Sequence, residues 1–541
     1  MNNSKKSNDN LILRKNNEVY GFPFKKEIGQ KSYGYFVYEK MIQNKDKIFQ
    51  IDGLTGESET YGNLLTRCKR VALEMINRGV TEKDVVLLCS QNTLDAIVPV
   101  FSTQFINTTL CSVDPSQSVK EVAYLLNLAK PKMGFIEKES VNLIKDALEI
   151  NGLNMEIIVM IHDDDKNSLG YFLKPKIGED DFKPKVIKDS KIAGFMFFSS
   201  GTTGLPKGIL YSGCAVLNNN LSIIHFGIEA KVASHLSTFY WVSALVLTTM
   251  VLLNDGMKVV IPTRDTRVFA KAMSDYKVTF AFTSYTFAVG LNETITNDLN
   301  FNHLEYLVLG GSIVPENHLI KCRKLLPKTL VLVSYGQTEA GHISSFTKET
   351  YHFALQKLSS VGQPIPGTII KIADPDTEEP LGINQKGEIC IKTNWHFSGY
   401  HNADSSNVFD KSGYLKTGDL GYFDEDNCLY VSDRLKETFK FQGWHVSPAA
   451  IEEVLLKHSA IKEGVVIGIP HPLDETHALA VVVLKEGCED VREEEIVQFV
   501  NERVSDREKL RSGVKFLNEL PKAPSGKIMK RIIREKFVVV Q

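Results

Sequence analysis

Short apolar runs recur along the first 350 or so residues, many closed by Gly, Ser, Asp or Pro. Val85-Val86-Leu87-Leu88-Cys89, Gly194-Phe195-Met196-Phe197-Phe198, Lys258-Val259-Val260-Ile261, Tyr306-Leu307-Val308-Leu309 and Leu330-Val331-Leu332-Val333 are apolar at nearly every position rather than at alternate ones. That pattern predicts strands buried on both faces, as in parallel sheets. Between them the period changes. Leu64, Cys68, Val71, Ala72 and Met75 share one face of a helical repeat, with Thr60 placed to cap its start and Gly79 to end it. Strand-helix alternation over this length predicts an α/β domain with crossover helices.

Beyond Val361 the pattern shortens into β-like segments separated by turns such as Gly362-Gln363-Pro364, Pro366-Gly367 and Lys386-Gly387-Glu388. A second change falls at Ser432-Asp433-Arg434-Leu435-Lys436. After it comes a unit of roughly a hundred residues, helix-like at 449–457 and 493–504 and strand-like at 464–469 and 479–484. The expected organisation is a flexible tail over 1–20 and a large domain over 21–432. That domain is α/β, with parallel-rich sheets flanked by helices and a small β-rich subdomain at 360–432. A hinge at 433–437 and a small, mobile α+β C-terminal domain at 438–541 follow.

The length, 541 residues, agrees with more than one domain, being too great for a single core. A formal net charge of −2 gives no footprint for nucleic acid or an anionic membrane. The basic run Lys522, Lys527, Lys530, Arg531, Arg534 and Lys536 reads mostly as a solvated helix face. Eight scattered cysteines without a CxxC pair read as reduced thiols. The polar start lacks the apolar core of a signal peptide, no apolar run approaches the roughly 20 residues of a membrane span, and Val538-Val539-Val540-Gln541 is not a Ser-Lys-Leu address. The expectation is a cytoplasmic protein without a membrane span; oligomeric state is left open.

Chemistry enters with Phe198-Ser199-Ser200-Gly201-Thr202-Thr203-Gly204-Leu205-Pro206-Lys207-Gly208. It follows an apolar strand and precedes Leu210-Tyr211. Its hydroxyls, its glycines, which let backbone N–H groups approach an anion, and the charge of Lys207 together suit phosphate. It is not a P-loop, since Pro206 and Gly208 stand where that pattern needs Gly and Ser or Thr. Four further segments carry candidate chemistry. Ser334-Tyr335-Gly336-Gln337-Thr338-Glu339-Ala340-Gly341 follows a strand, where parallel sheets bind ligands, although Thr-Glu by itself is more often a helix cap. Leu309-Gly310-Gly311-Ser312 joins a strand to a helix expected near Pro315. Tyr414-Leu415-Lys416-Thr417-Gly418-Asp419-Leu420-Gly421 reads as a carboxylate in a Gly-flanked turn. The small domain contributes Lys440 before Gln442-Gly443-Trp444, and Pro524-Ser525-Gly526-Lys527.

From about Tyr61 to Lys527, these motifs and their order resemble the adenylate-forming superfamily of acyl-CoA synthetases, 4-coumarate-CoA ligases, insect luciferases and peptide-synthetase adenylation domains. The resemblance implies an enzyme that uses ATP and Mg²⁺ to activate a carboxylic acid. It implies phosphate contacts from Ser199, Ser200, Gly201, Thr202, Thr203, Gly204 and Lys207. Adenine is expected against Gly310, Gly311, Ser312, Tyr335, Gly336 and Gln337. Thr338 is expected on phosphate, Glu339 on the metal, and Asp419 and Arg434 on the ribose. Lys527 matches the lysine of adenylation. Lys440 matches the lysine presented after rotation about Asp433, with Gly443 beside a coenzyme A tunnel.

Three segments depart from that pattern. Many relatives carry a histidine after an aromatic in the segment gating the acyl pocket; here Thr238-Phe239-Tyr240-Trp241-Val242 has none, and Tyr240 or Trp241 is left as the gate. Ala450 replaces a usual acidic residue, and Pro470-His471-Pro472-Leu473-Asp474-Glu475 replaces the usual Pro-Asp-x-x-x-Gly-Glu turn. The apolar tract from Trp241 to Leu253 suggests a fatty or aryl acid, or simply a core helix. The reading is an AMP-forming carboxylate-CoA ligase with coenzyme A as co-substrate. The alternatives are a luciferase-like monooxygenase and a non-catalytic nucleotide- or acyl-binding paralogue.

Overall fold

The computed structural model describes residues 12–22, 32–186, 193–198, 206–296, 298–393, 395, 397–435, 437–442, 444–522 and 528–538. Two seven-stranded sheets form its centre. In the first, Ala193–Phe198, Thr109–Val113, Val85–Cys89, Met133–Ile136 and Glu156–Val159 run parallel. Gly208–Ser212 and the two-residue strand Gly399–Tyr400 add to its edge antiparallel. In the second, Leu330–Val333, Tyr306–Gly310, Phe280–Ser284, Val232–His235, Met257–Val260 and Ile48–Asp52 are parallel, and Ser58–Thr60 closes the edge antiparallel. All five apolar runs are strands, and nearly all their side chains are buried.

One continuous core includes residues of both sheets, among them Val86, Leu110, Phe195, Ala233, Val308 and Leu332. The helix Ile97–Phe105 is buried at every position, as a helix apolar all round must be. The expected helix is Tyr61–Asn77, and its Thr60 hydroxyl accepts from the Asn63 amide at 3.1 Å. Such a cap contributes about 1 kcal/mol.

The expected tail over 1–20 is corrected at its second half. Leu13–Lys15 and Glu18–Tyr20 form a hairpin that pairs with Ile369–Ala373, and Val19 is fully buried. Asn16 and Asn17 both take positive φ, the requirement of a tight two-residue hairpin turn, so the polar pair is a turn and not a frayed end. The hairpin thereby joins the β-rich sheet, which continues antiparallel through Gly387–Lys392, Leu415–Phe423 and Leu429–Arg434.

The small C-terminal domain packs helices Pro448–Leu455 and Glu493–Asn501 on a sheet of Ile461–His471, Glu475–Leu484 and Val514–Phe516. The hairpin Phe439–Phe441 with Trp444–Val446 precedes it. The eight cysteines are free, six of them buried. Among the described residues, no helix is long and apolar enough to cross a membrane.

Candidate active site

The glycine loop connects neighbouring antiparallel strands, because Phe198 pairs with Gly208 and Phe197 with Ile209. Ser199, Ser200, Gly201, Thr202, Thr203 and Gly204 lie outside the described residues. The loop's exit is fixed. Tyr124 donates its hydroxyl to the Pro206 carbonyl at 3.0 Å, and the His401 amide donates to the Gly208 carbonyl at 2.7 Å. Lys207, exposed, sets its Nζ 4.6 Å from the centre of the Tyr400 ring. The Tyr400 hydroxyl in turn donates to Glu339 Oε1 at 3.2 Å. Tyr400 escaped the sequence reading because its strand is two residues long, beside Ile209 and Leu210 only through tertiary pairing.

Glu339 sits in the tight turn between Tyr335–Gln337 and Gly341–Ser345. Thr338 and Glu339 therefore cap no helix. Two glycines make the turn possible: a Cβ on Gly336 would lie 2.4 Å from the Gly341 carbonyl oxygen, and Gly341 itself has φ +70°. Both Thr338 and Glu339 are half-buried. Burial raises the Glu339 carboxyl above the usual carboxylate range, while the Tyr400 hydroxyl and the Arg434 charge act in the opposite direction.

Asp419 was expected in a turn and lies inside the strand Leu415–Phe423. The chain passes through Gly418 at φ +70° and stays paired, with Asp419 directly opposite Arg434 on Leu429–Arg434. Across this pair Arg434 Nε reaches Asp419 Oδ1 at 2.7 Å, and the Tyr335 hydroxyl donates to Asp419 Oδ2 at 2.6 Å. The carboxylate is buried and Arg434 is 38% exposed. Burial and the adjacent carboxylate push the Tyr335 phenol far above its ordinary range, so it remains a donor. Arg434 acts electrostatically on both Asp419 and Glu339, so the Tyr335–Asp419–Arg434 and Lys207–Tyr400–Glu339 groups share one field.

Gly310 ends its strand against the Phe282 ring. Gly311, at φ +86°, has open space where a Cβ would stand, and Ser312 is exposed beside it. A flat group can lie against this backbone. The expected helix follows at Glu316–Leu325.

Asp433 and Arg434 still belong to a strand. Asp433 Oδ2 accepts from Ser447 Oγ at 2.7 Å and from the Ala449 amide at 3.3 Å, tying the expected hinge to the first turn of helix Pro448–Leu455. Lys440 lies on the strand Phe439–Phe441, whereas Gly443 and Lys527 are outside the described residues. The solvated-face reading fails for Lys530, which bonds Glu452 at 2.8 Å and Glu437 at 3.4 Å.

At the expected gate, Tyr240 is buried among Met196 and Phe198, and its ring meets Trp241 edge-on at 4.9 Å. Gln117 Nε2 approaches the Tyr240 hydroxyl at 3.5 Å. Helix Val242–Leu253 is buried through most of its length, so core packing accounts for its apolarity. The histidine nearest in sequence, His235, is buried with Nδ1 3.1 Å from the Ser237 carbonyl oxygen, and burial holds it well below the usual imidazole range.

Comparison with known proteins identifies the family. The AMP-binding enzyme family matches residues 38–401, and the AMP-binding enzyme C-terminal domain matches 450–527. The luciferin 4-monooxygenase of Photinus pyralis is 30% identical over 497 residues, covering 88% of this chain and 89% of its own. The 4-coumarate–CoA ligase 3 of Arabidopsis thaliana is 28% identical over 524 residues, covering 93% and 91%. The luciferase-like enzyme of the nonluminescent mealworm Zophobas morio superposes with a TM-score of 0.75 at 34% identity, over 78% of this chain and 99% of that one. ATP-bound MatB of Rhodopseudomonas palustris shares the fold at a TM-score of 0.82 and 22% identity, over 93% and 99%. With both its large and its small domain matched in order, the chain belongs to the AMP-binding enzyme family, within the adenylate-forming superfamily.

Proposed function

We propose that this protein is an AMP-forming carboxylate–CoA ligase. The observation that carries the reading is the Asp419 carboxylate held between Tyr335 and Arg434, an oriented acceptor for the two hydroxyls of a ribose. In the first step an oxygen of the substrate carboxylate attacks the α-phosphorus of ATP. The bond to the β-phosphate oxygen breaks, pyrophosphate leaves, and an acyl-AMP mixed anhydride remains. Ser199, Ser200, Thr202 and Thr203, with the backbone of Gly201 and Gly204, hold the phosphates. Lys207 and Lys527 stabilise charge that grows in the transition state, work worth on the order of 10²–10³ in rate per contact.

Glu339 offers an oxygen donor of the kind Mg²⁺ takes, and Thr338 hydrogen-bonds phosphate. The fit is supported by the half-buried Glu339 carboxyl, oriented by the Tyr400 hydroxyl, whose charged form a neighbouring cation would stabilise against burial. Mg²⁺, when bound, neutralises phosphate charge. In the second step the coenzyme A thiolate attacks the acyl carbon and AMP leaves. Rotation about Asp433 brings Lys440 and Gly443 to that step. Gly310, Gly311, Ser312, Gly336 and Gln337 form the adenine contact, and Tyr240 and Trp241 border the acyl pocket. An aryl or other apolar acid fits their rings and the 4-coumarate ligase relatives.

The absence of an imidazole over 238–242 favours the thiol over oxygen as the second reactant. Pyrophosphate exchange with a panel of aryl and fatty acids, run with and without coenzyme A, tests both steps. The expected result is exchange with at least one apolar acid and thioester formation with coenzyme A. Light from luciferin and oxygen without thioester formation would establish the luciferase reading instead. ATP binding without exchange on any acid would leave a non-catalytic paralogue.

A further inference from the structure

The tip of the hairpin Ile461–His471 and Glu475–Leu484 carries a group that the adenylation chemistry does not use. The register pairs His471 with Glu475 and Ile469 with His477. His471 and His477 are therefore diagonal neighbours on one face of the ladder, close enough for long side chains to meet. Their rings stack with centroids 3.8 Å apart and planes 18° from parallel. Asp474, in the connecting turn, closes the group: its Oδ2 lies 2.8 Å from His477 Nε2 and 3.4 Å from His471 Nδ1. All three donor atoms lie within 4.8 Å of one another, and the residues are half-buried, open to an ion from solvent.

We propose that His471, Asp474 and His477 form a binding site for a first-row divalent transition metal of the zinc class. Two imidazole nitrogens and one carboxylate oxygen are the donors such ions prefer, with a fourth position left for water. Tetrahedral zinc with bonds near 2.05 Å needs neighbouring donors about 3.3 Å apart, close to the 3.4 and 2.8 Å found, while the stacked rings must turn out of parallel for their in-plane lone pairs to converge on one ion. The Asp474 amide donates to His471 Nδ1 at 3.2 Å, so that nitrogen is unprotonated, and an ion binding there would displace the amide from its lone pair. His477 gives up its Nε2 proton when the ion binds.

Asp474 is also anchored from outside the hairpin. Gln442 Nε2 donates to its Oδ1 at 2.7 Å, and the Gln442 amide donates to its carbonyl at 3.2 Å. Gln442 belongs to the turn after Phe439–Phe441, the strand of Lys440. A metal here would clamp two hairpins of the small domain. The segment from Pro470 to Glu475, which supplies two of the three donors, departs from the turn expected of the superfamily.

The test is titration of untagged, chelator-treated full-length protein with Co²⁺, followed by displacement with Zn²⁺. One equivalent should give the visible bands of four- or five-coordinate cobalt without a thiolate charge-transfer band, and zinc should abolish them. His471→Asn and His477→Gln should each weaken binding at least about tenfold. If either fails to fold, Asp474→Asn, which keeps the shape facing Gln442, carries the same expectation. Failure to saturate, a thiolate band, or a one-equivalent spectrum unchanged in folded variants would overturn the assignment.

Discussion

Tyr335→Phe removes one oxygen from the centre of the proposed nucleotide site and keeps the ring. The lost bond is 2.6 Å long and ends on a buried carboxylate. A hydrogen bond to a charged group contributes about 1.5–3 kcal/mol net. Asp419 keeps its 2.7 Å contact with Arg434, so its position is loosened and not lost, which puts the effect at the low end of that range. At about 1.4 kcal/mol per factor of ten, kcat/KM for ATP should fall roughly tenfold. Pyrophosphate exchange measures it, and a double-mutant cycle with Asp419→Asn isolates the coupling. Once Asp419 has lost its charge, Tyr335→Phe should cost far less, giving a coupling of about 1–2 kcal/mol. Losses that simply add in the double variant would refute the claim that Tyr335 acts by orienting Asp419.

Lys527→Ala should abolish adenylation yet still convert supplied acyl-AMP to thioester, while Lys440→Ala should do the reverse; separate half-reaction assays check this, and equal loss of both steps in either variant contradicts the division of labour. His342 donates Nε2–H to the Ser344 carbonyl at 3.1 Å, and burial lowers its pKa to about 4. Between about pH 6.5 and 4 the unfolded chain therefore binds a proton that the folded chain does not, and stability falls as pH falls. Allowing for its partial exposure, the loss is about 2–3 kcal/mol across that window. Urea titrations at several pH values should show it, and His342→Asn should flatten the slope. Gly336→Ala forces a Cβ to within 2.4 Å of the Gly341 carbonyl oxygen, so the turn that carries Thr338 and Glu339 must open. Exchange activity should drop at least about tenfold while the far-UV circular dichroism is kept.

Much of the fold was legible because it rests on local periodicity. Continuous apolar runs identified Val85–Cys89 and Leu330–Val333 as doubly buried strands, and Thr60 announced the helix it caps. The glycine loop is a local pattern too, a short run of Gly, Ser, Thr and Lys whose reading as a phosphate cradle rests on the sequence. Other features are properties of register between distant segments. Asp419 faces Arg434 because one strand is paired with the next, and Tyr335 reaches the same carboxylate from 84 residues away. Tyr400 meets Glu339 across 61 residues from a strand too short to leave a periodic signal. Asn16 and Asn17 look like a polar tail until Ile369–Ala373 supplies the strand that their hairpin joins. A one-residue shift in pairing would send each of these side chains to the opposite face of its sheet. The sequence by itself determined the two-part α/β architecture and the adenylating motifs. Which residues meet, and so the site's electrostatics and the His471–Asp474–His477 group, was decided by strand register, which no local pattern encodes.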